Sequence, residues 1–92
     1  MNVNNFRNMQ SPNNNPIPNQ FIIWSDEGTY FKSYNSIIVF QPKNGQIQLD
    51  KKYWNYSKTT GKYRNIFLGE KCAETKKKIK SGEYILNDLN KG

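Results

Sequence analysis

Two sets of residues in this chain of 92 have types and spacings that bear on chemistry. The first is acidic. Asp50-Lys51-Lys52 has the form D-x-K at the end of an expected strand, and Asp26 ends an earlier one. Two carboxylates beside a lysine are what a magnesium-dependent nuclease gathers. The pattern is short and its spacing permissive, so chance accounts for it. The second set is basic and aromatic. Lys58, Lys62 and Arg64 interleave with Tyr53, Trp54, Tyr56 and Tyr63, and Lys76, Lys77 and Lys80 follow. Cations that track phosphates, with rings that stack on bases, are the composition of single-stranded nucleic-acid sites. The competing reading makes the rings the core of a small domain. That reading is preferred for Trp54, Tyr63 and Phe67, while Tyr56 stays open as a stacking residue.

Most other chemistry is excluded. The chain has no histidine, which removes Ser-His and Cys-His pairs, histidine bases and most zinc sites. Cys72 is the single cysteine, unable to form an internal disulfide, and on a helix face it reads as a small core residue. Gly61 and Gly69 do not build a phosphate-binding loop. No catalytic residue, metal ligand or cofactor is therefore assigned, and the chain reads as a non-enzyme. The opening residues lack the regions of a signal peptide, so a reducing cytoplasm is expected. Apolar runs such as Ile37 to Phe40 are far short of the roughly 18 residues that cross a bilayer, so no membrane role is expected.

The net charge of +7 belongs to one segment, since residues 51–80 hold ten Lys or Arg against Glu70 and Glu74. Such a patch points to an anionic partner, either nucleic acid or an acidic protein surface. The bland alternative is a solvated lysine-rich face.

The elements that must position these residues follow from pattern. Residues 1–20, with eight Asn and three Pro, predict a disordered tail, and residues 21–92 predict one α+β domain. Phe21 to Ser25 and Thr29 to Tyr34 read as strands joined at Asp26-Glu27-Gly28, with a reversal at Asn35. Ile37 to Phe40 is apolar without alternation, as in a central strand covered on both faces, or in one with helices on one face and the tail or a second subunit on the other. Asn44-Gly45 predicts a two-residue hairpin turn before Gln46 to Leu49. A first helix follows, capped by Ser57, Thr59 or Thr60 and stopped by Gly69, with Tyr63, Ile66 and Phe67 as its core stripe and Lys58, Lys62 and Asn65 opposite. Glu70 sits near the start of a second helix that Ser81-Gly82 ends, in which Glu74 and Lys78 make an i,i+4 pair. Tyr84 to Leu86 returns as an edge strand or an extended tail. The fold class is α+β, a three- or four-stranded antiparallel β-meander followed by two short α-helices packed on one face. A domain this small invites stabilisation by its partner or by a homo-oligomer.

Three runs carry a resemblance: FKSYNSIIV (Phe31 to Val39), LDKKYWNYSKTTGKYRNIFLGE (Leu49 to Glu70) and KKIKSGEYILNDLN (Lys77 to Asn90). They resemble a group of small uncharacterised proteins encoded by tailed phages and prophages. The Asn-rich N-terminus and Cys72 lie outside the match. The resemblance implies a phage accessory protein acting in the host cytoplasm by binding. It assigns no activity, but inhibitors of RNA-guided defence nucleases, the anti-CRISPR proteins, come from the same pool. The expected partners are RNA, DNA or a nucleic-acid-bearing host complex such as a CRISPR effector. Lys58, Lys62, Arg64, Lys76, Lys77 and Lys80 would contact phosphates and Tyr56 would stack. The second helix lacks the Arg, Asn or Gln needed to read bases as a recognition helix does. A protein-binding module for an acidic host protein is the alternative, and an assembly protein the third.

Overall fold

A computed structural model describes residues 3–10 and 15–90. Strands β1 (Val3–Gln10), β2 (Pro16–Ser25), β3 (Gly28–Ser33), β4 (Ser36–Pro42) and β5 (Gln48–Asp50) come first. Helices α1 (Lys58–Leu68) and α2 (Cys72–Ser81) follow, and then β6 (Ile85–Asn87). The six strands form one sheet in sequence order. Every neighbouring pair is antiparallel except β5 and β6. The fold is thus α+β, a meander followed by two short helices, with more strands than the pattern predicts. Parallel pairing of β5 with β6 needs a long crossover, and the two helices are that crossover.

The N-terminal strand departs from the expected tail; residues 1, 2 and 11–14 of that segment lie outside the described residues. Ladder pairing needs backbone amides rather than apolar side chains, so a polar sequence can add to a free sheet edge. β1 pairs along β2, from Val3 opposite Ser25 to Gln10 opposite Pro16. Asn8 Nδ2 donates to the Ile17 carbonyl at 3.0 Å. Met9, 5% exposed, enters the main core, and Ile17 packs against it.

Turn chemistry differs in detail. Only Gly45 of the Asn44-Gly45 pair takes a positive φ (133°), and β4–β5 pairing resumes only where Phe40 meets Gln48. The intervening loop is drawn away from a tight turn by its own bonds. Lys43 N donates to Glu27 O at 3.1 Å and Gln46 Nε2 to Gly82 O at 2.6 Å. In the β3–β4 turn the left-handed residue is Tyr34 (φ 56°), the neighbour of Asn35.

The core lies between the sheet and the helices, centred on Phe31, Ile38, Val39 and Leu49, each at most 1% exposed. Trp54, Tyr63 and Phe67 pack against it as expected, with the Phe67 ring stacked on Phe31 at 5.7 Å. Register sends Phe21, Tyr30, Ile37 and Phe40 to the other face of the sheet, where Tyr30 and Phe40 stack at 4.5 Å. Among the described residues the helices cover one face, and β1 extends the sheet at its edge rather than lying across the second.

α1 begins where Ser57 accepts from Thr60 N at 3.1 Å. It ends at Gly69 in the left-handed region (φ 69°), whose amide bonds back into the last turn. Its rotation differs from the predicted stripe. Thr60, Gly61 and Arg64 are buried, whereas Ile66 is 56% exposed. Thr60 shares a 3.2 Å hydroxyl hydrogen bond with Ser33, which turns the 60–64 side toward β3 and Ile66 outward.

Glu70 joins α1, α2 and the entry to β6. Its side chain is 4% exposed. It accepts from Thr75 Oγ1 at 2.6 Å, Lys78 Nζ at 2.8 Å and Tyr84 OH at 2.7 Å. Lys78 therefore pairs with Glu70, and more loosely with Glu83, in place of the expected Glu74. Burial disfavours the Glu70 carboxylate most, but the bonds from Lys78, Thr75 and Tyr84 together outweigh it and hold its pKa below the usual value. The bond to Glu70 raises the Lys78 ammonium pKa, and burial followed by donation to Glu70 raises that of the Tyr84 phenol.

Two outcomes follow. Met9→Ala should lower stability by about 2–4 kcal/mol in urea unfolding, as for other buried large-to-small changes, whereas an unchanged midpoint would return residues 3–10 to a free tail. Because the folded pKa of Glu70 lies below its unfolded value of about 4.3, its stabilisation is complete above that value and is lost as pH falls through the folded one. Glu70→Gln should accordingly be less stable than wild type near neutral pH, with the gap closing in acid; a gap independent of pH would refute the charged network.

Candidate functional site

The turn before α1 and the first half of that helix build an open depression of about 570 Å³. Asp50 makes this turn possible. It is 1% exposed; Oδ2 accepts from Lys52 N and Tyr53 N at 3.1 and 2.9 Å, and Oδ1 accepts from Leu89 N at 2.8 Å. Its carboxylate is thus consumed in holding the backbone. Asp26 is exposed at the β2–β3 turn, at the other end of the sheet from Asp50. The two are not brought together, and among the described residues no cluster of metal-ligating side chains forms.

From the Asp50 turn the chain passes through Trp54, Asn55 and Tyr56 to the Ser57 cap. Tyr56 is 69% exposed with its ring edge-on to Tyr53 at 5.3 Å, which leaves it accessible for stacking. Lys58 and Lys62, one helical turn apart, are exposed on the wall of the depression with Tyr56. Gly61 and Asn65 line it from the same helix, and Cys72 closes it from α2.

Arg64 corrects the sequence reading. Expected at the surface, it is 0% exposed. Nη1 donates to the Trp54 carbonyl at 2.6 Å and to Asn55 Oδ1 at 3.3 Å, and Nη2 donates to Asn65 Oδ1 at 2.9 Å. The guanidinium also lies over the Trp54 ring at 5.2 Å. It turns inward because the 54–55 segment offers oxygen acceptors there, and a long stem reaches them while filling core space. Arg64 is therefore not available to grip a strand at the surface.

Lys76, Lys77 and Lys80 are exposed on α2 and do not line the depression. Lys76 and Lys80 follow Cys72 at four-residue spacing, so they continue the side of α2 that closes it, with Lys77 turned further round. None of Lys58, Lys62, Lys76, Lys77 and Lys80 makes an ion pair among the described residues, where Lys78 alone does. The structure thus brings together Tyr56, Lys58 and Lys62, puts Arg64 beneath them, and leaves the α2 lysines as an adjoining surface. Sequence reading missed Asn55 and Asn65. Ten residues apart on either side of a helix cap, they meet only through the buried Arg64, and no local pattern announces that.

Among the described residues no helix is long and apolar enough to cross a membrane. No curated protein and no solved structure matches the chain. The model of DUF8033, a family of unknown function, matches residues 3–83, which is most of the chain, and the protein belongs to that family.

Proposed function

We propose that the protein is a non-enzymatic, phage-encoded accessory protein of the host cytoplasm that binds RNA, DNA or a nucleic-acid-bearing host complex through the basic side of α1 and α2. Its most specific form is an inhibitor of an RNA-guided defence nuclease, a reading that rests on the resemblance to small phage proteins. One observation carries the binding reading: five exposed lysines on two successive helices, Lys58, Lys62, Lys76, Lys77 and Lys80, lack carboxylate partners among the described residues, and Lys58 and Lys62 line one depression with the exposed ring of Tyr56. Cations without a carboxylate partner can neutralise phosphates, Lys62 by leaving the Tyr63 ring over which it lies at 5.3 Å, and an exposed tyrosine offers a base a stacking surface.

Filter binding of a single-stranded oligonucleotide across a salt series checks this. Affinity should fall with a log–log slope of about −0.7 for each phosphate neutralised. Lys62→Glu and Lys76→Glu should each weaken binding, and Tyr56→Ala should weaken it with the salt slope unchanged. A flat salt dependence, or no binding at low salt, sinks the proposal. A host protein retained after nuclease treatment and despite Lys62→Glu would mark a protein-binding module instead.

A further inference from the structure

The floor of the depression carries a charge that the described residues leave uncompensated. Arg64 is wholly buried, yet every acceptor it meets is neutral: one backbone carbonyl and two carboxamide oxygens. Its Nε has no partner. The Trp54 ring contributes a π face without a counter-charge. Buried cations are ordinarily paired, because removal from water is costly unless an anion replaces it. Among the described residues no carboxylate makes an ion pair with Arg64, and none lines the depression.

Asn55 and Asn65 transmit that charge outward. Each presents Oδ1 to the guanidinium, the only orientation that sets an acceptor against a donor, and so each turns its Nδ2 amide hydrogens the other way. Neither Nδ2 has a protein partner among the described residues. Lys58 and Lys62 add two ammonium groups at the rim.

Gly61 supplies an independent observation. It lies inside α1 with no positive φ, and a Cβ there would sit 3.7 Å from Asn55 Oδ1 and 3.8 Å from both guanidinium nitrogens, ordinary contacts. Neither backbone conformation nor packing demands glycine, although glycine within a helix is destabilising relative to alanine. Gly61 lines the depression, so its bare backbone puts no side chain on the wall beside Arg64.

We propose that this depression is a seat for a phosphate group, with Asn55 and Asn65 as donors, Lys58 and Lys62 as rim charges and Arg64 as the positioning residue beneath them. The seat deepens the nucleic-acid reading, on which it rests for the source of its phosphate: an internal diester or a terminal monoester of a bound strand.

Titration of the full chain with inorganic phosphate, followed through the side-chain amide resonances of Asn55 and Asn65, tests the seat directly. Saturable shifts of both are expected. Gly61→Ala should weaken them by about tenfold while raising the thermal midpoint, an opposition that general damage to the fold would not produce. Asn65→Asp, which supplies Arg64 with a carboxylate, should abolish saturation. Absent shifts, or equal titrations of wild type and both variants, overturn the seat. Oligonucleotides with and without a terminal phosphate separate the sources: preference for the phosphorylated strand assigns the monoester, and equal binding lost in both variants assigns the diester. Phosphate binding with no oligonucleotide binding leaves the seat standing and removes the nucleic-acid reading. Oligonucleotide binding that both variants retain does the reverse.

Discussion

The Glu70 carboxylate is the interaction on which the arrangement of the helices depends. It sits in the junction where α1 has just been stopped by Gly69 and α2 has not yet begun. From there it takes one hydrogen bond from Thr75 in the second turn of α2, one from Lys78 a turn later, and one from Tyr84 as the chain enters β6. A single anion thereby fixes the angle of α2 and the point at which β6 can join β5. Thr75 and Tyr84 are 0% and 5% exposed, so their two bonds are shielded from water and stronger than surface bonds would be, while the Lys78 side chain is 34% exposed. The thin apolar face of α2, with Cys72 and Ile79 only half-buried, makes this necessary: burial alone would hold the helix weakly.

Arg64 is the counterpart with the opposite solution. Glu70 has a counter-ion; Arg64 has neutral oxygens and the Trp54 ring. The two lie six residues apart in sequence, and each joins helices or turns that would otherwise touch lightly. Arg64 ties α1 to the preceding turn through the Trp54 carbonyl, just as Asp50 ties that turn to β5 and to the C-terminal segment through Leu89 N. Polar groups do much of the tertiary work here because a chain of this size has few large apolar side chains to spend, and several of them lie on the uncovered face of the sheet.

Legibility in the sequence followed the range of the forces involved. Ser57 and Gly69 bound α1 through bonds made within a turn, and both are readable from residue type alone. Strands β2, β3 and β4 show in β-branched and aromatic runs for the same local reason. The rotation of α1 did not show, because Ile66 outside and Arg64 inside contradict hydropathy and depend on acceptors supplied by Trp54 and Asn55. β1 did not show because its stabilisation is backbone pairing at a sheet edge, to which side-chain composition is nearly blind. The exposed lysines were legible as a charged segment. Their division into a depression at one helix start and a separate surface on α2 was not, since that depends on how Glu70 sets one helix against the other.

Net charge is therefore the wrong quantity by which to judge the site. The protein extends 35 Å along its longest axis, whereas the Debye length at physiological ionic strength is about 8 Å. The acidic Asp26-Glu27 turn stands at one end of β3, and Thr60 anchors α1 to Ser33 at the other. The six residues of β3 span at most about 20 Å, roughly two Debye lengths, which screens each end from the other. The field at α1 is that of Lys58, Lys62 and the buried Arg64, with little attenuation from the hairpin, where Lys43 lines a pocket with Asp26. The field around the helix start is thus set by the charges close to the Ser57 cap, with little influence from the far hairpin.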